Sequence, residues 1–198
     1  MTQARPAKGT SMSTPDEPDF TETTIDSRKV FDGVLLHVKT DTVRLPNGNV
    51  STREYVEHPG AATVLAFVDE RTLLLERQFR YPLRRHFIEL PAGKIDPGEE
   101  PLRTAQRELR EECGYEAAHW RHLGTLHPCI GFADEHIELY AARELTYVGA
   151  ALDEDEFLEV FKVDIDEALD WIRTGRITEP KAIFGLMWAD KLVSGKWK

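Results

Sequence analysis

The chain has 198 residues, 41% of them hydrophobic, enough core for one domain with an extension, or one and a half domains. Its 25 Lys and Arg against 35 Asp and Glu give a formal charge of −10, which disfavours non-specific nucleic-acid binding and attachment to an anionic membrane surface. No apolar run approaches the ~20 residues of a membrane span, the N-terminus lacks a signal peptide's apolar centre, and Cys113 and Cys129 form no CxxC, so a cytoplasmic protein without disulfide framework or zinc site is expected.

Residues 1–19 mix Pro, Ser, Thr and charge with almost no apolar content, so burial cannot offset the entropy of ordering them, and a disordered tail is expected. From 20 to 58, apolar and polar residues alternate around Leu45-Pro46-Asn47-Gly48, where Asn-Gly is a strong hairpin signal; the stretch reads as a small antiparallel β unit. Too short in core to stand alone, it should pack on the main domain or on a second subunit. Residues 59–198 form the main domain. There, Ala61 to Val68 reads as a fully buried strand and Thr72 to Arg80 as its hairpin partner. Phe87 to Leu90 is a shorter strand ending at Pro91-Ala92-Gly93, and residues 124–126, 136–142 and 157–163 supply further strands. A central helix starts at Pro101 and stops at Gly114; Asp164 caps another that runs to about Thr174, and a last one runs from near Pro180 to Val193. Strands before and between helices argue for an α/β sandwich with a mixed sheet.

On the central helix, at about 100° per residue, Leu102, Ala105, Leu109 and Cys113 project within roughly 80° of one another and form the buried stripe. Glu108 and Glu112 lie on one edge of that stripe, and Glu111 sits about 60–80° farther toward solvent. Two carboxylates at a core margin raise each other's pKa by repulsion and partial desolvation unless a cation holds them ionised, and hard oxygen ligands of this kind select Mg²⁺ or Mn²⁺. A solvated face, with these glutamates paired to Arg103, Arg107 and Arg110, is the plain alternative. Asp153-Glu154-Asp155-Glu156, taken alone, reads as a solvated acidic loop.

The spacing decides between them. Gly93, five residues, Glu99, seven residues, Arg107-Glu108-Leu109, one residue, Glu111-Glu112, one residue, Gly114-Tyr115 carries every fixed letter of the Nudix box, with Tyr115 standing where an aliphatic residue is usual. On these residues the chain resembles the Nudix hydrolase family. The resemblance implies an α/β/α sandwich with a mixed central sheet, preceded by the N-terminal antiparallel β unit. It also implies Mg²⁺, with Mn²⁺ as substitute, bound by Glu108, Glu112 and the Ala92 carbonyl. Glu111 enters as a further ligand or water-mediated contact, and Arg107 and Glu99 orient helix and loop.

Outside the box, the segments Arg53 to Ala61, Glu76 to Pro82 and Glu89 to Gly93 resemble the ADP-ribose pyrophosphatase branch of that family. The branch implies hydrolysis of ADP-ribose to AMP and ribose 5-phosphate, and a homodimer through the N-terminal β unit. It further implies substrate contacts from Arg53 and Arg80, whose forked guanidinium suits a phosphate, and from Glu135. The loop His127 to Glu135 departs from the branch's commoner Ser-Pro-Gly-Gly form, and His127 reads equally as a loop residue without a chemical role. By the same resemblance Glu154 is the base that deprotonates the attacking water, with Glu156 its rival and a further metal ligand. Two other functions fit the residues: the same chemistry on another nucleoside diphosphate-linked substrate such as a nucleotide-sugar, and a non-catalytic sensor of ADP-ribose-like ligands.

Overall fold

The structure is a computed structural model and describes residues 18–152 and 157–197. Most of the expected N-terminal tail, and the acidic run 153–156 with Glu154 and Glu156, lie outside the described residues. The chain divides into two compact units, one ending at Tyr55 and one beginning at Val56.

The first unit is a three-stranded sheet in the order β1 (Thr23–Asp32), β2 (His37–Arg44), β3 (Val50–Glu57), with β1 antiparallel to β2. The turn at Asn47-Gly48 forms as its sequence demands: Gly48 takes φ 86°, which glycine alone adopts without strain, and its amide donates to the Leu45 carbonyl. The sheet builds little core, and Ile25, Phe31, Leu35, Leu36 and Val50 stay exposed.

In the second unit the run Ala61 to Val68 and its neighbour separate. The two runs predict a hairpin, but β4 (Ala61–Ala66) and β5 (Thr72–Arg80) enter different sheets, and the turn between them closes through the bridge Phe67 to Leu73 and the Val68 amide donating to the Thr72 carbonyl. Strand β4 joins a mixed sheet in the order β7 (Ala92–Lys94), β4, β9 (Ile137–Tyr147), β8 (Tyr115–Leu126), antiparallel to β7 and parallel to β9. Strand β5 instead lies between β10 (Leu158–Asp164) and β6 (Arg85–Glu89). An unbroken apolar run records that a strand is buried on both faces and nothing about which strand lies beside it. Strand β8 begins at Tyr115, nine residues earlier than the expected start at Gly124; Tyr115 to Leu123 mixes polar and apolar residues without clean alternation and so gives no strand signal.

Alternate residues of β4 and the residue after it feed two cores. Leu65, and Phe67 just past the strand, pack toward α2 (Ile165–Arg173) and α3 (Pro180–Val193), whereas Ala62, Val64 and Ala66 pack toward α1 (Pro101–Cys113). The sheet is thus covered by helices on both faces, as the α/β/α expectation has it. Helix α2 is capped by the Asp164 carboxylate, which accepts from the Asp166 amide at 2.8 Å, and α3 by Glu179, which accepts from the amides of Lys181 and Ala182. Helix α1 starts with Pro101 and ends at Gly114, whose φ is 74°. A side chain at Gly114 would also meet the Ala150 amide at 2.6 Å, so both conformation and space require glycine.

On α1, Ala105, Leu109 and Cys113 are buried as the wheel predicts, while Leu102 in the first turn is only half-buried. Leu109→Ala should therefore cost about 2–5 kcal/mol of stability, read as a lower urea midpoint at unchanged slope, and Leu102→Ala distinctly less.

Candidate active site

The site is organised where β7 meets α1. The Glu108 carboxylate lies so close to the Gly93 backbone that a Cβ there would fall 1.8 Å from Oε1. Glu112 reaches the same strand, accepting a hydrogen bond from the Ala92 amide at 3.0 Å. Both carboxylates are nearly enclosed, at 8% and 3% exposure, while Glu111 is more open to solvent. The helical spacing predicts this division.

Arg107 binds the acids together. Its Nε and Nη2 donate to the two oxygens of Glu99 at 3.2 and 3.0 Å, and its Nη1 donates to Glu108 at 2.6 Å and to Glu111 at 3.3 Å. Nη2 also reaches the Lys94 carbonyl at 3.2 Å, so a single guanidinium ties the loop after β7 to the helix. Glu99 is fixed further by the Thr104 hydroxyl at 2.7 Å. Hydrogen bonds from Arg107, against a smaller opposing effect of burial, hold the Glu99 carboxyl down to about 2, and the glutamates keep the guanidinium firmly protonated.

More buried acids stand behind this row, and the sequence reading did not single them out. Glu76 on β5 is fully buried and lies across from Glu89 in the β5–β6 register; Glu89 is 2% exposed. Burial alone would raise the Glu89 carboxyl, but hydrogen bonds from Arg80 and the charge of Lys181 outweigh it and hold the carboxyl below its ordinary value. Glu76 and Glu112 lie close enough to Cys113 to reinforce burial in pushing its thiol up. A signal existed in the sequence: in Leu73-Leu74-Leu75-Glu76 a carboxylate sits inside an apolar strand, where a partner must be provided.

The remaining predicted residues fall as follows. Arg80 forms a two-pronged pair with Glu89, at 2.6 and 2.8 Å, and is close enough for the Glu112 charge to act on it. Glu135 belongs to a loop fastened to the start of the second unit, where the Val56 amide donates to the Phe132 carbonyl and the His58 amide to Asp134; its carboxylate is 3.9 Å from His58 Nε2. Arg53 belongs to the first unit and pairs with Glu22. The chain entering the acidic run is sewn to the end of α1, the Ala151 amide donating to the Glu111 carbonyl at 2.9 Å.

Among the described residues no three His, Cys, Asp or Glu side chains converge as a ready cation cage. The donor set nevertheless fits a hard divalent cation. Glu108 and Glu112 are oxygen donors at one edge of α1, each against β7, and Gly93 has no side chain to fill the space beside Glu108.

The Glu99 contacts carry a pH dependence. Its carboxyl titrates near 2 when folded against 4.5 ordinarily, so its contribution is complete above about 4.5 and is lost as pH falls toward 2. Glu99→Gln should therefore melt below the unaltered protein at pH 7, and that gap should close as pH is lowered from about 4.5 to 2 in a thermal-melt series.

Similarity to known proteins agrees with the geometry. The family described as NUDIX domain matches residues 57–183, and that described as Nucleoside diphosphate sugar hydrolase N-terminal domain matches residues 22–56. The chain is 42% identical over 171 residues to a methanol dehydrogenase activator of Bacillus methanolicus, covering 85% of this chain and 92% of that one. It is 40% identical over 169 residues to an ADP-ribose pyrophosphatase of Bacillus subtilis (strain 168), covering 84% and 91%. A crystal structure of an ADP compounds hydrolase superposes with a TM-score of 0.80 at 22% identity, over 91% of this chain and 98% of that one, and so shares the fold. With the box residues gathered at the β7–α1 junction and the match extending over most of the second unit, the chain belongs to the NUDIX domain family.

Proposed function

We propose that this protein hydrolyses the diphosphate bond of ADP-ribose, giving AMP and ribose 5-phosphate, with Mg²⁺ as cofactor and Mn²⁺ as substitute. The observation that carries the reading is the enclosed pair Glu108 and Glu112 set against Ala92 and Gly93 and braced by Arg107. The pyrophosphatase relative at 40% identity supports the choice of substrate. Glu108, Glu112 and the Ala92 carbonyl hold the cation, with Glu111 as a further or water-mediated ligand. When bound, Mg²⁺ neutralises the diphosphate and lowers the pKa of an attacking water. Arg107 holds Glu108 and Glu111 in place through the hydrogen bonds it donates to both, while Arg80, Arg53 and Glu135 contact substrate. Glu154 accepts the proton of the attacking water, with Glu156 as its rival for that role and a further metal ligand.

The exposed apolar residues of the first unit support a homodimer formed through it. Two free cysteines suit a reducing cytoplasm, and no helix among the described residues is long and apolar enough to cross a membrane. A second reading keeps the chemistry and changes the substrate to a nucleotide-sugar; the match of residues 22–56 to the nucleoside diphosphate sugar hydrolase domain favours it.

A panel of nucleoside diphosphate derivatives, with and without Mg²⁺ and with product analysis, separates the two. ADP-ribose should turn over fastest and only with metal; binding without turnover would indicate a sensor. Glu112→Gln should lower kcat by at least about 100-fold with the fold intact, since the lost charge stabilisation amounts to several kcal/mol. A near-normal rate would remove Glu112 from the site. Of Glu154→Gln and Glu156→Gln, the one that lowers the rate and removes its fall at low pH, the acidic limb of the pH–rate profile, identifies the base, and retention of rate by both would place it elsewhere.

A further inference from the structure

Lys181, in the first turn of α3, is 92 residues from Glu89 in sequence, yet its Nζ lies 2.5 Å from Glu89 Oε2. The same oxygen accepts from Arg80 Nη2 at 2.8 Å, and Oε1 accepts from Arg80 Nε at 2.6 Å. Lys181 is 13% exposed and Arg80 42%, so the contact is closed at the lysine and open at the arginine. A guanidinium has five N–H donors. Arg80 directs two of them at Glu89, which leaves the outer donors for an anion. A cleft of about 500 Å³ bordered by Arg80, Phe87, Glu89, Thr178 and Lys181 opens beside them.

We infer that Lys181 is a positioning residue for the diphosphate substrate: it pins the Glu89 carboxylate, and Glu89 sets the plane and direction of the Arg80 guanidinium. This rests on the reading that Arg80 contacts substrate. The physical need is clear at Arg80, a long side chain at the exposed end of β5 immediately before the turn Tyr81–Leu83. Held only by a carboxylate that could itself rotate, its fork would sample many directions and lose orientation entropy on binding. Lys181 supplies a fixed point. Its backbone amide is held by the Glu179 cap at 3.0 Å, its neighbour Ala182 is fully buried, and Glu179 Oε1 lies 3.3 Å from Nζ. The core of α3 thereby reaches the substrate cleft through one ion pair, in the way supporting contacts fix groups that touch ligand.

The test is a cycle of Lys181→Met, Lys181→Arg, Arg80→Ala and the double variant Arg80→Ala/Lys181→Met, assayed on ADP-ribose with Mg²⁺, with a thermal melt of each. Lys181→Met should raise KM about tenfold with kcat within about twofold, the pattern of lost binding, not lost chemistry. Lys181→Arg should restore KM. In the Arg80→Ala background Lys181→Met should add nothing, because the residue it positions is gone. Lys181→Gln carries the same expectation should the methionine variant not fold. An unchanged KM in Lys181→Met while Arg80→Ala raises it overturns the inference alone, as does a full Lys181→Met effect persisting without Arg80. An unchanged KM in Arg80→Ala overturns the substrate-contact reading, and the inference with it.

Discussion

Confinement of negative charge is the constraint on which the rest of the second unit depends. Glu76, Glu89, Glu108 and Glu112 are each less than a tenth exposed, and burying an ionised carboxylate without compensation costs several kcal/mol. Arg107 answers Glu108, and Arg80 with Lys181 answers Glu89. Side-chain positions follow from that compensation. Arg107 lies along α1 because Glu99, Glu108 and Glu111 together surround it, and the box loop is held because Arg107 also grips the Lys94 carbonyl.

Much of the site was legible in the sequence because it is local. Glu108, Glu111 and Glu112 lie within one helix, so a fixed 100° step places them, and Gly93 and Glu99 are joined to that helix by a short loop. Helix ends were legible for the same reason: Pro101, Asp164, Pro180 and Gly114 act on the backbone next to them. What could not be read depends on pairing across long separations. Strands β4 and β5 adjoin in sequence and read as a hairpin, yet they enter different sheets. Neither apolar run carries a register mark that would name β9 or β10 as its neighbour. Glu89 reads as an ordinary strand residue because one of its two partners, Lys181, comes 92 residues later.

Lys181 shows the same limit from the other side. Nothing in its local sequence distinguishes it from a surface lysine near a helix start, where a cation is mildly unfavourable to the helix dipole. Its position is explained by Glu179, which caps the helix and offers an opposing charge, and by Glu89, whose enclosed carboxylate needs a second cation. Helix α3 therefore joins core packing to the cleft, with Ala182 and Leu186 facing inward while Lys181 turns toward β6.

The separation of β4 from β5 also bears on how the chain reaches its folded state. Each central strand finds one partner nearby, β5 beside β6 and β4 beside β7, and its other partner roughly 75 to 90 residues later, β4 beside β9 and β5 beside β10, so closing those large loops costs entropy before either sheet is complete. Topologies dominated by such distant pairings fold slowly, in the millisecond-to-second range. Helix α1 can form locally, but the strand that receives its apolar stripe is completed only when β9 docks. During synthesis the acid-bearing helix leaves the ribosome well before the strands that complete its seat, and the nascent chain must carry its concentrated charge in water until they arrive.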